Sequence, residues 1–123
     1  MAREDKYVLW FDELKREDVD LVGGKSSSLG EMTSSTDVPV PYGFATTAHG
    51  YRHFMKETGL EGRIREEIAK LTDVEDTAQL RDVTAAIREM IVAQEMPQDL
   101  ADDILRLIVL VFGHIERDAV AVS

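Results

Sequence analysis

Apolar residues arrive along this chain in short, separated clusters, and the spacing within each cluster suggests an element. Tyr7-Val-Leu-Trp-Phe11 is aromatic and β-branched with charge on both sides, which predicts a buried strand. Asp12 to Asp20 is polar, with Leu14 and Val19 as the candidate anchors. In Leu21-Val-Gly-Gly-Lys-Ser-Ser-Ser-Leu-Gly-Glu-Met32 two glycines follow an apolar pair and mark a tight turn. Leu29 and Met32, three apart, predict a helix beginning near Lys25. Val38-Pro-Val-Pro41 is expected to be extended, because a proline bars the residue before it from the helical region. Gly43-Phe-Ala-Thr-Thr47 reads as a second strand. Thr47 is placed to cap a helix carrying Tyr51, Phe54 and Met55 on one face, and Gly59 to stop it.

Three further helices are predicted. Ile64, Ile68 and Leu71 share a face of the first, and Leu80, Val83, Ile87, Met90 and Ile91 line the second. The third has Pro97 at its first turn, a stripe of Leu100, Ile104, Leu107, Ile108 and Val111, and Gly113 as its expected end. The residue types of Ile108 to Phe112 also suit a strand, but length and the preceding period favour helix. Ala119 to Val122 reads as a short strand. Strand, helix, strand, helical block and strand predict an α+β or α/β fold, and the short connections predict one compact unit.

Composition narrows the function classes. A chain of 123 residues with 44% hydrophobic positions supports a core and leaves little room for a second domain. The formal net charge of −10 repels nucleic acid and anionic membranes at long range. It leaves room for a local anion site, where one lysine and a few N–H groups reverse the field. With no cysteine, disulfides and thiolate metal sites are excluded. The charged start is unlike a signal peptide, and the run Leu107 to Phe112 is far short of a membrane span. The expectation is a cytoplasmic protein.

The Gly23-Gly24-Lys25-Ser26 turn is the strongest candidate for chemistry. Glycines let N–H groups approach an anion, a helix start adds about half a positive charge, and a lysine meets phosphate as a point charge. The pattern differs from a Walker loop, and on its own it reads first as a turn followed by an exposed helix-start lysine. His49 and His53 share a predicted helix face but have no third ligand, so no metal is assigned. The carboxylate pairs Glu66-Glu67, Glu75-Asp76 and Asp102-Asp103 read as solvated charge.

Val22-Gly-Gly-Lys-Ser-Ser-Ser-Leu-Gly-Glu-Met32, followed by Val38-Pro-Val-Pro-Tyr-Gly-Phe-Ala-Thr-Thr47, resembles the opening of the pyruvate phosphate dikinase and phosphoenolpyruvate synthase family. Val8-Leu-Trp-Phe-Asp-Glu-Leu14, Ala86-Ile-Arg-Glu-Met90 and Met96-Pro-Gln-Asp-Leu100 are similar to the synthase branch, so the likeness runs from about residue 7 to 106. It implies an α+β fold: the first lobe of an ATP-grasp-like nucleotide-binding domain, a small sheet with a helical block. Residues 1–123 would then be a single partial domain. The resemblance also implies that Lys25 approaches the phosphates of ATP carried with Mg²⁺, on the Gly23-Gly24 turn, with Ser26 and Ser27 able to donate at the helix start. Gly30 matches a glycine packed where that helix crosses the sheet.

The likeness has departures. In the family a Val-Ala-Val strand runs into an arginine that contacts phosphate, whereas Ala119-Val-Ala-Val-Ser123 has none. The Mg²⁺ ligands of the second lobe, the phosphorylated histidine and the pyruvate-binding barrel have no counterpart in these residues. The implied reaction turns ATP, pyruvate and water into phosphoenolpyruvate, AMP and phosphate. The chain is expected to be inactive alone and to need the remaining dikinase domains as partners. A rifampin phosphotransferase-like nucleotide domain and a non-catalytic remnant that binds nucleotide or a partner are the alternatives.

Overall fold

The computed structural model describes the backbone of residues 2–122 and the side chains of residues 2–116. The chain divides into two units, one of Met1–Arg52 with Gln98–Ser123, the other of His53–Pro97.

In the first unit, β1 (Val8–Trp10) pairs antiparallel with β2 (Phe44–Thr46), in the register Val8 to Thr46, Leu9 to Ala45 and Trp10 to Phe44. The Phe11 N–H donates to Gly43 C=O at 3.0 Å and the Thr47 N–H to Tyr7 C=O at 2.9 Å, which extends the ladder at both ends. Both strands lie where the aromatic and β-branched runs place them. Their antiparallel pairing decides for α+β over α/β.

Beneath the sheet lies a small core of Leu9, Leu14 and Ala45, flanked by Phe11, Leu21 and Val22. Leu9 and Leu14 are fully buried, each contributing about 2 kcal/mol by area. Leu14 is thus the anchor expected of the polar stretch. Val19 is not, being 47% exposed at the start of α1 (Val19–Val22). The stretch itself winds into 3₁₀ turns at Phe11–Glu13 and Arg16–Asp18, which periodicity does not reveal because each is a single turn.

α2 (Gly24–Ser35) begins within one residue of the expected position. Residues 38–41 form no helix or strand, as their prolines require. α3 (Ala48–Thr58) is capped by Thr47, whose buried Oγ1 accepts the Gly50 N–H at 3.1 Å and donates to Lys6 C=O. Gly59 follows in the left-handed conformation, φ 67°, and ends it.

α6 (Gln98–Val122) starts directly after Pro97. It buries Leu100 and Leu107 and half-buries Ile104, Ile108 and Val111, the face foreseen from the period. Ile108 to Phe112 is helix. Gly113, expected to end it, lies inside: an interior glycine costs about 1 kcal/mol, too little to stop a helix with an apolar face to bury. Ala119–Val122, expected as a strand, falls within the bounds of α6, and its side chains lie outside the described residues.

In the second unit, α4 (Leu60–Ala69) and α5 (Thr77–Val92) pack together, and Leu60 and Val83 are buried. Asp76 caps α5, accepting from the N–H groups of Ala78 and Gln79 at 3.1 and 3.2 Å. Gln79 Oε1 reaches back to accept from Thr72 and Asp73 N–H, which fixes the connection between the helices.

Candidate functional site: the turn into helix α2

Gly23 has φ 87° and ψ 165°, a region that residues with a Cβ rarely enter. Its N–H donates to Val19 C=O at 2.8 Å, closing α1, and its C=O accepts the Ser27 N–H at 3.0 Å, opening α2. One glycine therefore ends one helix and starts the next. Gly24, Lys25 and Ser26 form the first turn, whose N–H groups have no acceptor within the helix, and Gly23 brings no side chain to cap them. The first turn holds no acidic residue, so no carboxylate of that turn offsets the positive end of the helix dipole. Lys25 is exposed and makes no ion pair among the described residues. Ser26 is half-buried beside it.

Ser27 is different. It is 2% exposed and its Oγ donates to Gly24 C=O at 3.0 Å, so its hydroxyl is used within the turn. The expectation that it would donate to a phosphate is corrected.

The helix is held from the other side. A Cβ at Gly30 would stand 2.9 Å from both the carbonyl carbon and the oxygen of Leu14, so α2 meets backbone there directly. The partner of Gly30 is this loop segment after β1, rather than the sheet. Ser34 Oγ donates to Leu14 C=O at 3.2 Å, and Glu31 Oε2 accepts the Arg16 N–H at 2.9 Å. That N–H, with a hydrogen bond from Ser35, holds the Glu31 carboxyl below the usual carboxylate range. The Arg16–Asp18 turn is pinned in turn by Arg3, whose Nη2 lies 2.6 Å from Asp18 Oδ2 and donates to Glu13 C=O at 2.9 Å. Burial works against the Asp18 charge. The hydrogen bonds from Arg3 and from the Lys15 N–H outweigh it and lower the Asp18 pKa.

Two concavities of the first unit lie elsewhere. A cleft of about 750 Å³ is lined by Tyr7, Trp10, Glu13, His49, Asp99 and Arg106 among others. There His49 stacks on Tyr7 at 5.3 Å between ring centres, and the Tyr7 hydroxyl donates to Asp99 at 3.1 Å. A second, of about 440 Å³, lies beside Tyr42 and His114. Tyr42 stacks on Trp10 at 4.6 Å and meets the His114 ring at a tilt, with centres 4.4 Å apart. Lys25 lines neither. No group of three His, Asp or Glu residues converges on a metal position among the described residues. Nor is any helix among them long and apolar enough to cross a membrane. These contacts join positions far apart in the chain, Tyr42 to His114 and Tyr7 to Asp99 among them, and no spacing in the sequence announces them.

The sequence pattern defining the pyruvate phosphate dikinase AMP/ATP-binding domain matches residues 19–122. The chain belongs to that family. Its similar relatives include a probable phosphoenolpyruvate synthase of Methanocaldococcus jannaschii, 50% identical over 95 residues, which are 77% of this chain and 8% of the relative. A phosphoenolpyruvate synthase of Neisseria meningitidis is 48% identical over 103 residues, 81% of this chain and 13% of the relative. A probable phosphoenolpyruvate synthase of Methanothermobacter thermautotrophicus is 40% identical over 118 residues, 96% of this chain and 17% of the relative. The chain therefore spans less than a fifth of the length of these three relatives. As a member of the dikinase AMP/ATP-binding family, it is part of an α+β nucleotide-binding lobe.

Proposed function

We propose that this chain is the opening, N-terminal part of the ATP-grasp domain of a phosphoenolpyruvate synthase, with Lys25 and the first turn of α2 meeting the nucleotide phosphates. The observation that carries the reading is the meeting of two facts at one place. The family match covers the Gly23-Gly24-Lys25-Ser26 turn, and that turn presents an exposed lysine, with no ion pair among the described residues, at the positive end of a twelve-residue helix. Phosphoryl transfer depends mainly on positioning and charge neutralisation, and such a turn supplies a share of both: one cationic side chain and outward-facing amides.

The whole reaction, ATP with pyruvate and water to phosphoenolpyruvate, AMP and phosphate, needs far more than this lobe. Lys25 is exposed and lines neither of the clefts described above, so water screens its charge until further domains cover it. Among the described residues no group of His, Asp and Glu could hold Mg²⁺; its ligands would come from the nucleotide and the remaining domains. The isolated chain is expected to bind ATP weakly and to form no phosphoenolpyruvate. The relatives named above favour the synthase over an antibiotic phosphotransferase. A cytoplasmic setting follows from the same reading.

Thermal shift in millimolar ATP, with and without Mg²⁺, tests the proposal on wild type and Lys25→Ala. A rise in Tm that shrinks in the variant supports it. Equal rises in both proteins would remove Lys25 from the site, and phosphoenolpyruvate formation by the purified chain would contradict the expected inactivity.

A further inference from the structure

We propose that Glu31 is a positioning residue for the anion-binding turn: its hydrogen bond to the Arg16 N–H locks the rotation of α2 and so aims Lys25 and the first-turn amides. The inference rests on the phosphate reading of Lys25 above. Its own support is the set of contacts that hold this helix.

α2 has little apolar grip of its own. Its sequence, Gly-Lys-Ser-Ser-Ser-Leu-Gly-Glu-Met-Thr-Ser-Ser, has two large apolar residues in twelve, and its buried positions are Ser27 and Gly30. A helix held mainly by apolar burial tolerates small rotations, since that force has no direction. Here the fixing contacts are directional. Gly30 rests on the Leu14 backbone, Ser34 bonds the Leu14 carbonyl at 3.2 Å, and Glu31 takes the Arg16 N–H at 2.9 Å. Of these, the Glu31 bond alone involves a charged acceptor and reaches the Arg16–Asp18 turn, which Arg3 pins through Asp18. A charge-assisted bond is about twice as strong as a neutral one. Leu14 sets how close α2 lies, and Glu31 ties its rotation to a second, separately anchored segment.

Charge and geometry predict opposite signs, which makes the role separable. Glu31 is six residues from Lys25, about 9 Å along the axis at 1.5 Å per residue, close to the screening length of about 8 Å at physiological salt. As a charge it opposes an anion weakly, so deleting it would raise anion affinity slightly. As a positioning group it favours the anion, so deleting it would lower affinity.

The test is titration of the purified chain with inorganic triphosphate at physiological salt, read from amide chemical shifts, for wild type, Glu31→Ala, Glu31→Gln and Lys25→Ala. Glutamine removes the charge but keeps an oxygen that accepts the Arg16 N–H. The expected result is about tenfold weaker binding in Glu31→Ala, with Glu31→Gln, whose neutral bond is weaker, falling between Glu31→Ala and wild type. Hydrogen exchange at Ser27 and Ser28 should speed up in the alanine variant alone. Wild-type affinity or better in Glu31→Ala overturns the positioning role, as does equal weakening in alanine and glutamine. If wild type and Lys25→Ala respond alike, the phosphate reading itself fails, and the role of Glu31 toward it fails with it.

Discussion

Replacing Gly30 by alanine sets two known effects against each other. In a helix interior the change normally stabilises by about 1 kcal/mol. Here the new Cβ would meet Leu14 backbone atoms at 2.9 Å, about 0.6 Å inside ordinary carbon contact distance. Neither side can yield cheaply. Leu14 is fully buried, and α2 is tied to the same loop through Ser34 and Glu31. Overpacking of this kind costs about 1–3 kcal/mol, and backbone lies at the top of that range. The net effect is therefore a loss of about 2 kcal/mol, worth roughly 8 °C in Tm at 4 °C per kcal/mol. Gly62 is the matched control: it too lies in a helix, α4, and a Cβ there meets nothing within 4 Å, so Gly62→Ala should stabilise by up to about 1 kcal/mol. Urea unfolding measures both. Fluorescence of Trp10, the single tryptophan, follows the unit that contains Gly30, and far-UV circular dichroism follows the helices as a whole. Stability of Gly30→Ala equal to or above wild type would refute the close approach of α2 to Leu14.

Other outcomes follow from the same contacts. Gly23→Ala forces a Cβ into φ 87°, ψ 165° and should cost about 1–3 kcal/mol; urea unfolding with no loss would show that the backbone there is ordinary. Asp76→Ala removes the cap of α5 and should cost about 1 kcal/mol, and a thermal melt as steep and high as wild type would dismiss the cap. The Asp18 pKa is lowered in the fold, so its contribution is present above the unfolded value of about 3.9 and fades as pH falls through the lower folded value. Arg3→Ala should therefore cost up to about 1 kcal/mol at pH 7 and lose less stability than wild type between about pH 5 and 2. Parallel curves for the two proteins would mean that the pair carries none of the acid sensitivity.

What the sequence made legible were the features coded locally. The glycine pair in Leu21-Val-Gly-Gly-Lys located the start of α2, the aromatic runs located both strands, and the period in Leu100 to Val111 gave the buried face of α6. Gly113 misled because a single glycine weighs less than a continuing helix with a face to bury, and the residue types of Ala119–Val122 do not by themselves separate strand from helix. The direct backing of Gly30 by Leu14, the Arg16–Glu31 bond and the ring contacts among Trp10, Tyr42 and His114 stayed hidden. Each joins residues far apart in the chain, and no local pattern records such a meeting. The candidate site divides along the same line. Its glycines and lysine are written in one short motif, whereas the groups that aim them, Glu31 and the Arg3–Asp18 pair, become visible only once the helix is set against its neighbours.

The most direct measurement is a map of backbone amide shifts as ATP is added to the isotope-labelled chain. The account predicts that the largest changes fall on Gly24, Lys25 and Ser26 and shrink in Lys25→Ala. Changes centred instead on Tyr7, Trp10 and His49 would place the nucleotide in the cleft lined by those residues, and would contradict the assignment of the α2 turn as the phosphate site.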